Sequence, residues 1–100
     1  MTKVVHCKKE PYDVYIGRKK NTNKHYGNPF RIGSDTGFTR KESISTFKMW
    51  INGKGFEWIE PDRRKWILKN LKNLKGKTLG CWCKPKACHG DILAELADEE

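Results

Sequence analysis

Cys81-Trp82-Cys83-Lys84-Pro85-Lys86-Ala87-Cys88-His89-Gly90-Asp91 crowds three thiols, an imidazole, two ammonium groups and a carboxylate into eleven residues. A β-like run, Thr78 to Cys83, leads in. A helical pattern, Ile92, Leu93 and Leu96, leads out. The segment therefore reads as a strand that turns into a helix beginning near Cys88 or His89. A helix start offers unpaired N–H groups and a partial positive charge.

Three chemistries are open there. Cys81, Cys83, Cys88 and His89 match the four ligands of a tetrahedral zinc site in number. Cys81 and Cys83 would share one face of the strand. However, Cys-x-Cys is not the usual Cys-x-x-Cys knuckle, and adjacent Cys88 and His89 diverge at a helix start. The expectation is less than one equivalent of zinc, with Cys81 and Cys83 packing as small buried apolar residues. Thiol chemistry would favour Cys88, because a helix N-terminus lowers a thiol pKa. An anion site would use the helix N–H groups, flanking Lys84 and Lys86, and Gly90 for close approach. His89 would then be a general acid or base, or a donor to phosphate. Asp91 is a third catalytic candidate, or simply a complement to the helix dipole. His89 is expected to point out of the helix mouth, so that removing it spares the fold, whereas a charge at Cys81 would break it.

A second constellation is Gly27-Asn28-Pro29-Phe30-Arg31. Gly and Asn permit unusual backbone angles, Pro stiffens the loop, and Phe30 either anchors it or stacks on a base. Arg18, Lys19, Lys20, Lys24 and Arg31 surround it, interleaved with Tyr26. Arg63, Arg64 and Lys65, with Lys69, Lys72 and Lys75, read instead as the solvated face of a helix.

The elements that must position these groups follow from pattern. Val4 to Cys7 and Val14 to Ile16 are short β-like runs, the second ended by Gly17. Residues 18–38 form a long loop marked by turn residues such as Asn21, Asn23, Gly33, Ser34, Asp35 and Gly37. Thr39 with Glu42 makes a capping box for a helix faced by Ile44, Phe47, Trp50 and Ile51, ended by Gly53 and Gly55. Pro61 opens a second helix with Ile67, Leu71 and Leu74 inward, stopped by Gly76. The run Thr78 to Cys83 lacks alternation, so it is expected to be covered on both faces. The order predicts one α/β domain over residues 1–100: a small, partly parallel sheet with about three helices in a Rossmann-like layer architecture. Ligands of such sheets bind beyond the carboxyl ends of the strands. That rule points to Gly17-Arg18 and to residues 83–89.

Composition narrows the classes. The 100 residues carry 21 Lys and Arg against 12 Asp and Glu, a net charge of +9. Five of the acids fall in the last ten residues, so residues 1–90 carry +14. Such a body suits a polyanionic partner. No apolar run approaches a membrane span, and the N-terminus lacks a signal-peptide pattern. A cytoplasmic setting, in a bacterium or a phage-infected cell, is expected, with cysteines as thiols rather than structural disulfides. There is no P-loop, dinucleotide glycine fingerprint, Ser-His-Asp pattern or evident carboxylate pair.

Val14-Tyr15-Ile16-Gly17-Arg18, Gly27-Asn28-Pro29-Phe30 with Ile32-Gly33, and Gly80-Cys81-Trp82-Cys83 with Pro85 and Cys88-His89-Gly90-Asp91 resemble a bacterial and phage family, domain of unknown function 4326. The resemblance spans roughly residues 12–97 and implies a bacterial or phage origin, but no reaction. The residues themselves support a nucleotide- or nucleic-acid-binding domain, with Gly17, Arg18, Asn28, Pro29, Phe30, Arg31, Lys84, Lys86 and Gly90 as ligand contacts. The alternatives are a small enzyme on a nucleotide, nucleobase or nucleic acid, using His89, Cys88 or Asp91, and a phage protein that binds a host protein.

Overall fold

The structure, a computed structural model, describes residues 1–20, 22 and 24–100. Asn21 and Asn23, read above as turn residues, lie outside the described residues. The element order is β1 (Lys3–His6), β2 (Val14–Tyr15), α1 (Arg40–Ile51), α2 (Pro61–Asn70), a 3-10 turn (Leu71–Asn73), β3 (Thr78–Cys81) and α3 (His89–Asp98). The sheet has the order β1-β3-β2, and both outer strands run parallel to β3. It is therefore wholly rather than partly parallel, and β3 is central, as its unalternating sequence requires. Leu79, Gly80 and Cys81 are all buried.

Parallel neighbours need a return path. Between β1 and β2 this is made without a helix, by residues 7–13 crossing the sheet. Gly80 makes the crossing possible, since a Cβ there would meet the Tyr12 ring at 2.6 Å. Asp13 closes the path: its N–H donates to Thr78 O at 2.8 Å, and its carboxylate accepts from Thr78 N at 2.9 Å.

Leu79, Cys81, Val4, Val14 and Ile16 turn towards the helices and join the main core. The helix in contact with the strands is α3, and α1 packs on α3. Leu93 and Ala97 of α3 are fully buried, as are Phe47 and Trp50 of α1; each large side chain removed from water contributes about 1.5–3 kcal/mol. Thr39 forms the expected capping box with Glu42, and Pro61 opens α2.

Arg63 and Arg64 depart from the solvated-face reading. Arg63 is 3% exposed. Its guanidinium holds both oxygens of Glu60 at 2.9 and 3.0 Å, donates to Gly27 O, and lies over the Trp50 ring. Arg64 donates to Trp50 O at 2.7 Å and Ile51 O at 3.2 Å, satisfying the carbonyl end of α1. Arginine's planar fork suits such multiple acceptors, which charge patterning alone does not reveal. Lys65, Lys69, Lys72 and Lys75 are exposed, as expected.

Candidate functional site

The chain leaves β2 at Ile16 and β3 at Cys81, and both exits open on the same edge of the sheet. A cavity of about 400 Å³ lies there, walled by segments 15–18, 28–32, 40–44, 81–83 and 88–89. Most of the expected residues meet in it: Gly17, Arg18, Asn28, Phe30, Arg31, Cys88 and His89 all line the wall. Pro29, Lys84, Lys86, Gly90 and Asp91 do not.

The cations of the cavity come from three elements. Arg18 follows β2, Arg31 closes the loop, and Arg40 is the first residue of α1. Arg18 Nε is anchored on Asn28 O at 2.8 Å, and Arg40 Nη1 on Ala87 O at 3.1 Å. Arg31 pairs with Asp35 at 2.9 Å, both well exposed, a contact that contributes little. Burial, and then the nearby Arg31 and Arg63, lower the pKa of Arg18 from its ordinary value. No Asp or Glu is among the described residues that line the cavity.

The loop residues are braced from behind. Asn28 Nδ2 donates to Ser43 Oγ at 2.9 Å, and Asn28 Oδ1 accepts from Phe30 N at 2.8 Å. Ser43 Oγ in turn donates to Phe30 O. Asn28 thus shapes the loop and seats Arg18. Phe30 anchors the loop in the core, edge-on to Phe38, Trp50 and Phe56, and Tyr26 is buried against Trp66. Neither ring is available to stack on a base. The aromatic surface at the cavity is Trp82 instead, 56% exposed. Its Nε1 donates to Tyr15 Oη at 2.8 Å, His6 packs edge-on, and Lys8 lies over the ring.

The start of α3 differs from the open anion site expected of it. Cys88 is the N-cap, and its Sγ accepts from Gly90 N at 3.3 Å. Asp91 accepts from Cys88 N at 3.2 Å and from Lys84 Nζ at 2.8 Å, which raises the Lys84 pKa. The Cys88, Gly90 and Asp91 amides and the Lys84 and Asp91 charges are thus paired within the protein. Gly90 serves close packing of α3 on the sheet: a Cβ would meet Ile16 Cδ1 at 2.5 Å and Val4 Cγ1 at 3.1 Å. Lys84 turns to a shallower hollow with Val5 and His6, and Lys86 is exposed.

His89 does not project from the helix mouth. It is 8% exposed, packed edge-on against Phe47. Its Nε2 lies 2.9 Å from Ile16 O and 3.0 Å from Tyr26 O. Two carbonyl acceptors require a proton on Nε2, so the neutral ring carries its lone pair on Nδ1. Burial pulls the His89 pKa down to about 4, outweighing the two carbonyls. The ring is neutral at pH 7 and pins the β2 exit and the Tyr26 segment to α3.

Cys81 Sγ and Cys88 Sγ lie 3.3 Å apart, both buried. The hydrogen bond shared with Cys88, aided by the Cys83 and Lys84 amides against burial, draws the Cys81 thiol down to about 6. The same pairing, and burial, push Cys88 up. Two backbone amides, of Cys83 and Lys84, favour the thiolate on Cys81, against one, of Gly90, on Cys88. The four candidate zinc ligands do not converge, since the His89 ring faces carbonyls. Among the described residues no three His, Cys, Asp or Glu side chains are grouped to hold a metal ion.

Sequence reasoning missed Tyr15, Ile32, Arg40, Ser43, Ile44 and Trp82 on the cavity wall. Arg40 carried a usable signal: a cation in the first turn opposes the helix dipole, so its placement calls for another reason.

Among the described residues no helix is long and apolar enough to cross a membrane, and no solved structure matches the chain. An "Uncharacterized 12.4 kDa protein in nrdA-td intergenic region" of Enterobacteria phage T4 is 35% identical over 99 residues, covering 98% of this chain and 79% of the phage protein. The profile of the family described as "Domain of unknown function (DUF4326)" matches residues 2–99. With this match across nearly the whole length, the chain belongs to the DUF4326 family.

Proposed function

We propose that the cavity binds a nucleotide, with Arg18, Arg31 and Arg40 on its phosphate and Trp82 against its base. The observation that carries this reading is the lining itself: three guanidinium groups, no carboxylate among the described lining residues, and an exposed indole fixed by Tyr15. Guanidinium groups match phosphate oxygens bidentately, and indoles stack on bases of any sequence. A volume of about 400 Å³ lies in the small-ligand range of roughly 300–1,000 Å³. The position beyond the carboxyl ends of parallel strands is where such sheets take ligands. Incoming phosphate would offset both causes that lower the Arg18 pKa, burial first and then repulsion from Arg31. The net charge of +9 would draw in such a ligand, free or as the end of a strand.

Calorimetric titration with nucleoside mono- and triphosphates and with short single strands tests this. Binding should weaken as salt rises. Arg18→Ala and Arg40→Ala should each weaken it by about tenfold or more, in line with the roughly 1.5–3 kcal/mol of a charge-assisted hydrogen bond. Lys86→Ala, away from the cavity, should not. Absence of binding to all of these ligands at low ionic strength refutes the reading. Catalysis on the bound nucleotide is the second reading, favoured by the Cys81–Cys88 thiols on the cavity wall. Turnover lost in Cys81→Ser with nucleotide affinity retained would support it.

A further inference from the structure

We propose that Cys81 and Cys88 form a peroxide-reactive dithiol site, in which Cys81 is oxidised first and Cys88 resolves it to a reversible intramolecular disulfide. The inference stands on geometry independent of what the cavity binds. The two sulfurs are 3.3 Å apart, so closing to a bond of about 2.05 Å requires a shift of little more than 1 Å. They come from rigid elements, the end of β3 and the N-cap of α3, whose packing holds the pair together. Both line the cavity. Each residue is 2% exposed, so the cavity is the route by which hydrogen peroxide would reach the pair. Cys7 and Cys83 are each half-buried and have no thiol partner among the described residues.

The chemistry balances with hydrogen peroxide as the oxidant. The Cys81 thiolate attacks one peroxide oxygen; the O–O bond breaks and hydroxide leaves, to be protonated to water. The Cys81 sulfenic acid is then attacked by the Cys88 sulfur; the S–S bond forms, the S–O bond breaks, and a second water leaves. Two thiols lose two electrons and two protons, and one peroxide becomes two waters. A dithiol reductant reverses the bond by exchange. The Cys83 and Lys84 amides at Cys81, against the single Gly90 amide at Cys88, favour Cys81 as the attacking sulfur.

The test treats reduced protein with equimolar hydrogen peroxide at pH 7, then denatures it, alkylates it and maps the cysteines by mass spectrometry. Most chains should lose the mass of two hydrogens. Residues 81 and 88 should be linked, Cys7 and Cys83 alkylated, and dithiothreitol should restore the starting mass. Cys88→Ser should leave a sulfenic acid on residue 81 that dimedone traps. Cys81→Ser should abolish rapid oxidation at residue 88. A bond involving Cys83 or Cys7, oxidation that begins at Cys88, or oxidation of residue 81 no faster than that of Cys7 overturns the proposal. If Cys81→Ser fails to fold, the linkage map of the unaltered protein still decides.

Discussion

Replacing His89 with Ala should unfold this protein at markedly lower temperature. The ring fills a closed space against Phe47, and its Nε2 proton is shared by Ile16 O and Tyr26 O. Without it, each carbonyl loses a donor, at about 1–3 kcal/mol apiece when no water replaces it. The missing ring also leaves a void, which costs several kcal/mol more where the walls cannot close. The adjoining cavity can admit water, so the low end of the combined range, roughly 3–5 kcal/mol, is expected. At about 4–8 °C per kcal/mol for a domain of this size, the Tm should fall by more than about 12 °C.

The pH dependence supplies a second reading of the same group. The folded pKa of about 4 lies below the unfolded value of about 6.5, so between those values the unfolded chain binds the extra proton. The stability from a neutral His89 is therefore complete above pH 6.5 and is lost as pH falls towards 4, a difference of about 3 kcal/mol. Urea unfolding at pH 7 and pH 5 should show the unaltered protein losing more stability than His89→Ala over that interval. His25, whose pKa is also lowered by burial and then by Arg63, is common to both proteins and cancels. If His89→Ala melts within about 1 kcal/mol of the parent and keeps the parent's pH slope, the structural role assigned to the imidazole is wrong.

Gly90→Ala should cost about 1–3 kcal/mol in chemical denaturation, because its Cβ would meet Ile16 Cδ1 at 2.5 Å; a neutral result would mean that α3 can lift from the sheet freely. Arg63→Met should destabilise the protein by several kcal/mol, since Gly27 O and Glu60 lose their donors, whereas Lys65→Met should change the Tm little. Metal analysis of purified protein should find less than one equivalent of zinc, and chelator should leave the Tm unchanged; stoichiometric zinc lost in Cys83→Ser would assign the cysteines to a metal site.

Local order was legible from residue types alone. Thr39 with Glu42, Pro61, Gly53 after α1 and Gly76 before β3 marked the helix ends, because caps and breakers act within a few residues of themselves. The unbroken burial of β3 followed from its lack of alternation. The strand-end rule brought Gly17-Arg18 and the residues after β3 to one edge before any pairing was known. What tertiary structure decided was the direction and partner of each polar group. Helix periodicity could not distinguish buried Arg63 from exposed Lys65, because both are cations and their difference lies in acceptors 36 residues away in the chain or across the core. Position at the helix start suggested that His89 projects from the helix mouth. Packing of α3 through Gly90 onto Ile16 and Val4 turned the imidazole onto two carbonyls and the thiol onto Cys81. Arg40 and Trp82 reached the cavity only through the meeting of α1 with the β3 exit, a juxtaposition across some forty residues that no local pattern encodes.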